Sequence, residues 1–211
     1  MQNRRSFLIT TSLASLGLSL PALADTNLPA DTNLPADTAQ DDQPVRRRYL
    51  MEDTYGNIVK DEDLQGKFVM IYFGYMSCPD VCPTSLSTIA NVMEKLSPED
   101  IDGLAVLFVT VDPKRDTPEK LREYLAFFDE RIIGLRGPKA YTDHMVKAFN
   151  ARYEFYVPDP EHPEDYGVDH TASIAFVAPD GSLIKRFPHG MHEEKIQAYI
   201  EAAMRSAREM Q

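Results

Sequence analysis

Phe68-Val69-Met70-Ile71-Tyr72-Phe73-Gly74-Tyr75-Met76-Ser77-Cys78-Pro79-Asp80-Val81-Cys82-Pro83 is the stretch from which the rest of the chain can be placed. Its first six residues are apolar and rich in β-branched and aromatic types, which reads as a strand buried on both faces that stops at Gly74. The two cysteines of the chain follow at once. A loop leaving the C-terminal end of a central strand is where open α/β sheets place their chemistry.

Working outward, Leu86, Ile89, Ala90 and Met93 recur at helical spacing, so a helix is expected from about Pro83 to Leu96. A second apolar run, Leu104 to Val111, reads as another buried strand, and strand–helix–strand at this spacing makes the two strands parallel. Thr117-Pro118-Glu119 supplies an N-cap, a first-position proline and an early acid for a helix ending near Phe128. A short strand at 132–135 and a helix at about 140–150 continue the alternation. Strands 173–177 and 183–187 flank the turn residues Pro179-Asp180-Gly181, and a last amphipathic helix starts near Glu193. Upstream, Tyr49-Leu50-Met51 and Ile58-Val59 flank Tyr55-Gly56-Asn57 as a small hairpin. The sum is α/β: a thioredoxin-like arrangement, with a central mixed sheet flanked by helices and an N-terminal β-hairpin extension. The stretch Val157–Asp169, dense in proline and acidic residues, is expected to form a mobile flap without regular structure.

The 211 residues carry a formal net charge of −11, or −13 without residues 1–24, which argues against nucleic acid or an anionic membrane as a partner and for a basic protein partner or simple solubility. Residues 1–24 hold Arg4 and Arg5 as their charges, then an apolar run from Phe7 to Leu20, then Ala22-Leu23-Ala24. That is a basic n-region, an h-region and a small-residue cleavage site. The Arg-Arg-x-Phe-Leu order is similar to a twin-arginine signal, so export to the periplasm with cleavage before Asp25 is expected, an ordinary secretory signal and an uncleaved anchor being the alternatives. Asp25-Thr26-Asn27-Leu28-Pro29-Ala30 repeats at Asp31–Ala36, and residues 25–45 read as a disordered linker before a domain at 46–211.

Pro79 and Pro83 constrain the cysteine loop, because a proline inside a helix removes a backbone bond and clashes. The helix is therefore expected to open at Pro83 with Cys82 as N-cap, where free N–H groups and the helix dipole favour thiolate. Three residues separate the cysteines where a thioredoxin-like redox motif has two. A structural disulfide, a redox pair and a metal site all remain open on the spacing alone. Asp112 follows the second parallel strand, and His170 precedes strand 173–177. If that strand runs antiparallel to the first two, both residues lie at the edge of the sheet where Cys78 and Cys82 lie. Two thiolates and an imidazole would suit a thiophilic ion such as Cu(I), with Cu(II) acceptable. His144, His162, His189 and His192 read as surface residues.

Cys78-Pro79-Asp80-Val81-Cys82-Pro83, Val109-Thr110-Val111-Asp112-Pro113 and Val168-Asp169-His170-Thr171, in that order, resemble the SCO/SenC family over about residues 46–205. These are exported thioredoxin-fold copper proteins linked to assembly of the dinuclear copper (CuA) centre of cytochrome c oxidase. The resemblance implies copper as the bound metal, with Cys78, Cys82 and His170 as ligands and Asp112 near the site. It implies as partner the copper-bearing oxidase subunit or another periplasmic copper protein, with membrane contact only through that partner. The alternative is a thiol-disulfide oxidoreductase in which Cys78 and Cys82 form the redox-active pair and reduce the cysteines of the copper acceptor.

Overall fold

A computed structural model describes residues 47–210; the signal and linker expectations for residues 1–45 lie outside the described residues. Strand β1 (Leu50–Asp53) and β2 (Ile58–Lys60) form the N-terminal hairpin. Then come β3 (Phe68–Gly74), α1 (Val81–Lys95), a short α2 (Pro98–Asp102) and β4 (Leu104–Thr110). Every residue of β3 and β4 is buried, as continuous apolar runs in the centre of a sheet must be. Helix α3 (Pro118–Ala126), β5 (Ile133–Arg136) and α4 (Lys139–Ala148) follow. After them, β6 (Tyr153–Tyr156) and β7 (Gly167–His170) make a two-stranded arm. The chain closes with β8 (Ile174–Val177), β9 (Leu183–Phe187) and α5 (Glu193–Glu209).

The main sheet has the order β2-β1-β5-β4-β3-β8-β9. β3 pairs parallel with β4 from Phe68↔Leu104 to Gly74↔Thr110, and antiparallel with β8, where Ile71 faces Ala175. The mixed, thioredoxin-like sheet read from the sequence is therefore the observed one. Its register puts the exits of β3 and β4 and the entrance of β8 at one edge. Helix α1 packs against α5, α3 covers β5, and α4 covers β1. Tyr72, Phe73, Phe108, Phe176 and Phe187 are all less than 2% exposed and fill the space between sheet and helices.

Two expectations need correction. Helix α1 starts at Val81 with Asp80 as N-cap, so Cys82 lies inside the first turn. Pro83 is tolerated there because the first turn's N–H groups have no intrahelical acceptor. The stretch 157–169 is also not wholly irregular. Its end belongs to β7, which pairs with β6 from Tyr153↔His170 to Tyr156↔Gly167. Acidic and proline residues mask the strand at the end of that stretch, and its pairing partner Tyr153–Tyr156 lies before it in the chain.

Candidate metal centre

Gly74 ends β3, and residues 75–80 lead to α1. The N–H of Cys78 donates to the Tyr75 carbonyl (3.3 Å), making a tight turn. The N–H of Cys82 donates to the Cys78 sulfur at 3.4 Å. The helix start thus serves Cys78, whereas the sequence reading assigned it to Cys82. Gly74 is required here by space, because a Cβ on it would lie 2.9 Å from the Cys82 sulfur and 3.0 Å from the Phe108 ring.

Burial decides the state of Cys82. It is 0% exposed, and loss of solvent pushes its thiol pKa up to about 12, although the Tyr75 N–H and the Tyr72 hydroxyl hydrogen-bond it and pull the other way. The thiolate expected from the helix dipole is therefore overruled by desolvation, and Cys82 is a thiol at neutral pH. Both cysteines are free in the structure.

His170 reaches the pair from the end of β7. Its Nε2 lies 3.2 Å from the Cys82 sulfur, and its Nδ1 lies 3.2 Å from the Thr171 carbonyl. A carbonyl only accepts, so Nδ1 carries the proton and Nε2 keeps its lone pair toward the sulfurs. Burial also pulls the His170 pKa below the ordinary imidazole value, against the opposing backbone hydrogen bonds. The ring is held edge-on between Tyr72 (6.0 Å between centroids) and Tyr75 (5.8 Å). One ligand atom each from Cys78, Cys82 and His170 all fall within 4.8 Å of one another.

Asp112 sits at the same edge but outside this cluster. Its buried carboxylate is ion-paired with Arg115 and accepts from the Tyr166 hydroxyl at 3.0 Å. Arg115 stacks on the Tyr166 ring (3.8 Å to the centroid), donates to the Tyr166 carbonyl (2.8 Å), and lies 5.5 Å from the Tyr75 ring. Asp112 therefore pins the arm that carries His170. Tyr72, Tyr75, Arg115 and Tyr166 were not singled out from the sequence. Tyr75 and Arg115 stand within a few residues of Cys78 and Asp112, which was the available signal.

The remaining histidines, His144, His162, His189 and His192, are exposed. His189 Nδ1 contacts the Ser85 hydroxyl at 3.1 Å, in the turn before α5. His162, Glu164 and Asp165 also approach one another, but all three are on the surface.

Comparison with known proteins gives one consistent result. The family model described as SCO1/SenC matches residues 37–205. The human mitochondrial protein described as a SCO1 homolog is 35% identical over 150 residues, covering 70% of this chain and 49% of its own length. The chain thus spans about half of that relative. A SCO2-like protein of Rickettsia felis is 33% identical over 162 residues, covering 77% of this chain and 78% of the relative. Among solved structures, Bradyrhizobium japonicum ScoI with copper bound superposes with a TM-score of 0.67 at 33% identity, over 75% of this chain and 99% of that one.

Proposed function

The chain belongs to the SCO1/SenC family, and on that premise we propose that it is a copper-binding protein serving cytochrome c oxidase assembly. In this reading it acts in the periplasm as a carrier for the oxidase's CuA centre, exported through the signal at Arg4-Arg5. The observation that carries the proposal is the convergence of two sulfurs and an imidazole nitrogen within 4.8 Å. The donor chemistry fits the metal, since thiolates select Cu(I) and imidazole suits both copper oxidation states.

The residues divide the work. Cys78 and Cys82 supply the soft donors, and Cys82 must give up its proton as copper arrives, because ligands bind deprotonated. His170, neutral through burial, presents Nε2 with no proton to lose. Tyr72 and Tyr75 fix the ring, so the third donor is held in place by packing. Copper then leaves by ligand exchange: an incoming thiolate of the acceptor replaces one donor at a time, and the released cysteine takes back a proton. No electron moves.

A dithiol reductase would need only Cys78 and Cys82, so the buried imidazole beside them favours carriage over reduction. The test is the metal content of the protein purified anaerobically from the periplasm, followed by Cu(I) titration of the metal-free form. One copper per chain is expected. Protein recovered without copper and unable to bind it would end the carrier reading.

A further inference from the structure

A cavity of about 420 Å³ lies behind the arm, between β6, the loop after β4 and the start of α4. That volume is in the range of ligand pockets, and its wall has their character of apolar surface with few polar groups. Tyr153, Phe155, Val157 and Tyr166 supply the apolar wall. Phe155, Tyr156 and Val157 are 45%, 47% and 46% exposed, three consecutive large apolar side chains at the mouth of the cavity or beside it.

Two observations point to what fills it. Thr142 lines the cavity and is 1% exposed, and its hydroxyl, shut off from solvent, has no hydrogen-bond partner among the described residues. A buried polar group left unpaired is costly, so an occupant that reaches this hydroxyl through a small shift of the wall is favoured. The charge of the wall is the second observation. Lys114 and Lys139 both line the cavity. Its one acidic wall residue, Asp112, is already ion-paired with Arg115. Lys139 is paired with Asp143 at 2.7 Å, whereas Lys114, exposed and 5.8 Å from the Tyr166 ring, has no carboxylate partner among the described residues. Among the residues lining the cavity lysines outnumber acids, while Asp159, Glu161, Glu164 and Asp165 stand on the arm between Val157 and Tyr166.

We propose that this cavity is a docking site for an acidic peptide segment bearing one aromatic or aliphatic anchor, presented by the protein that exchanges copper with this one. The anchor fills the space among Tyr153, Phe155 and Tyr166, a flanking carboxylate meets Lys114, and a carbonyl of the segment accepts from Thr142. A peptide is favoured over a small molecule because β6 has one neighbour in its sheet, leaving backbone groups on its other edge for an extended segment. The place suits exchange. Tyr166 leads into β7, and through Arg115 and Tyr75 the same wall reaches the His170 ring. A partner seated there adjoins the copper ligands without covering them.

The identity of the partner rests on the carrier reading, but the existence of the docking site does not, and one sample separates the two. Isotope-labelled full chain is titrated with acetyl-Asp-Glu-Phe-Asp-Glu-amide and with its lysine-flanked counterpart, and Cu(I) binding is measured on the same preparation. Saturable amide shifts at Thr142, Phe155 and Tyr166 are expected with the acidic peptide, with affinity at least tenfold weaker for the basic one. Lys114→Glu and Val157→Asp, both exposed positions, should each weaken the acidic peptide fivefold or more while copper stoichiometry stays the same. Equal affinity for both peptides, shifts confined elsewhere, or saturation by phenylacetate alone at the same concentrations would overturn the proposal. Peptide binding in a protein that takes no copper would keep the docking site and remove the carrier.

Discussion

Asp116 ties the cysteine loop to the end of β4 and does so with a buried carboxyl. It is 0% exposed, accepts from the Thr110 hydroxyl at 2.6 Å, and accepts from the Met76 N–H at 3.2 Å. Burial pushes its pKa from 3.8 up to about 6, the neighbouring Asp112 adds to the rise, and the Thr110 and Met76 hydrogen bonds oppose it. A folded pKa above the unfolded one means that the native state holds the proton more tightly. Asp116 therefore contributes stability that is full below pH 3.8 and is lost as pH rises through about 6. At about 1.4 kcal/mol per pKa unit the loss is about 3 kcal/mol. Asp116→Asn keeps the shape and an acceptor oxygen but cannot ionise. Urea unfolding of both proteins across this range isolates the effect, since other titrating groups cancel in the difference. Wild type should lose about 3 kcal/mol relative to the variant between the acidic and neutral ends. A flat difference would refute the argument by showing no change of pKa on folding, and one of opposite sign by showing the carboxylate to be stabilised where it lies.

Other consequences follow from the same geometry. Gly74→Ala places a methyl against the Cys82 sulfur and the Phe108 ring, so about 1–3 kcal/mol of overpacking strain and weaker Cu(I) binding are expected together; unchanged urea midpoint and unchanged affinity would contradict it. Because burial holds Cys82 protonated up to about pH 12, Cu(I) binding at neutral pH should eject a proton from that thiol, and affinity should rise as pH rises. Calorimetry in buffers of different ionisation enthalpy reads the proton, and a count of zero would refute the assignment. Arg115→Ala removes the Asp112 ion pair and the Tyr166 stack, so amide exchange in β6 and β7 should speed up while exchange in β3 and β4 stays unchanged; equal exchange throughout would mean the arm is held by other contacts. Exchange in residues 157–169 should slow when copper binds His170, and identical exchange with and without copper would leave that stretch a mere connection.

The core was legible because its signals are local. Unbroken apolar runs at 68–73 and 104–111 can be little else than central strands, and their parallel pairing follows from the helix between them. The convergence of Cys78, Cys82 and His170 followed from topology, since β8 runs antiparallel to β3. What escaped depends on contacts distant in sequence. Cys82 was placed at a helix N-cap from proline position alone, and only the packing of Gly74 and the neighbouring rings shows how deeply it is buried. β7 reads as acidic loop until its register with Tyr153–Tyr156 is known. Helix α2 is a different case: Ser97-Pro98 is a local capping signal, with Ser97 Oγ accepting from the Asp100 N–H, but at five residues the helix has too short an apolar pattern to stand out beside it.

Two roles for His170 make opposite predictions: it completes a copper site, as proposed above, or it merely flanks a dithiol. The most direct measurement is His170→Ala, which removes Nε2 and leaves Cys78, Cys82 and the start of α1 in place. Copper affinity, the Cys78/Cys82 reduction potential and oxidase activity at low copper supply are read on the same variant. Much weaker copper binding, a nearly unchanged potential and failed oxidase assembly are the predicted result. Full oxidase activity with copper binding abolished would contradict it and assign the function to the dithiol.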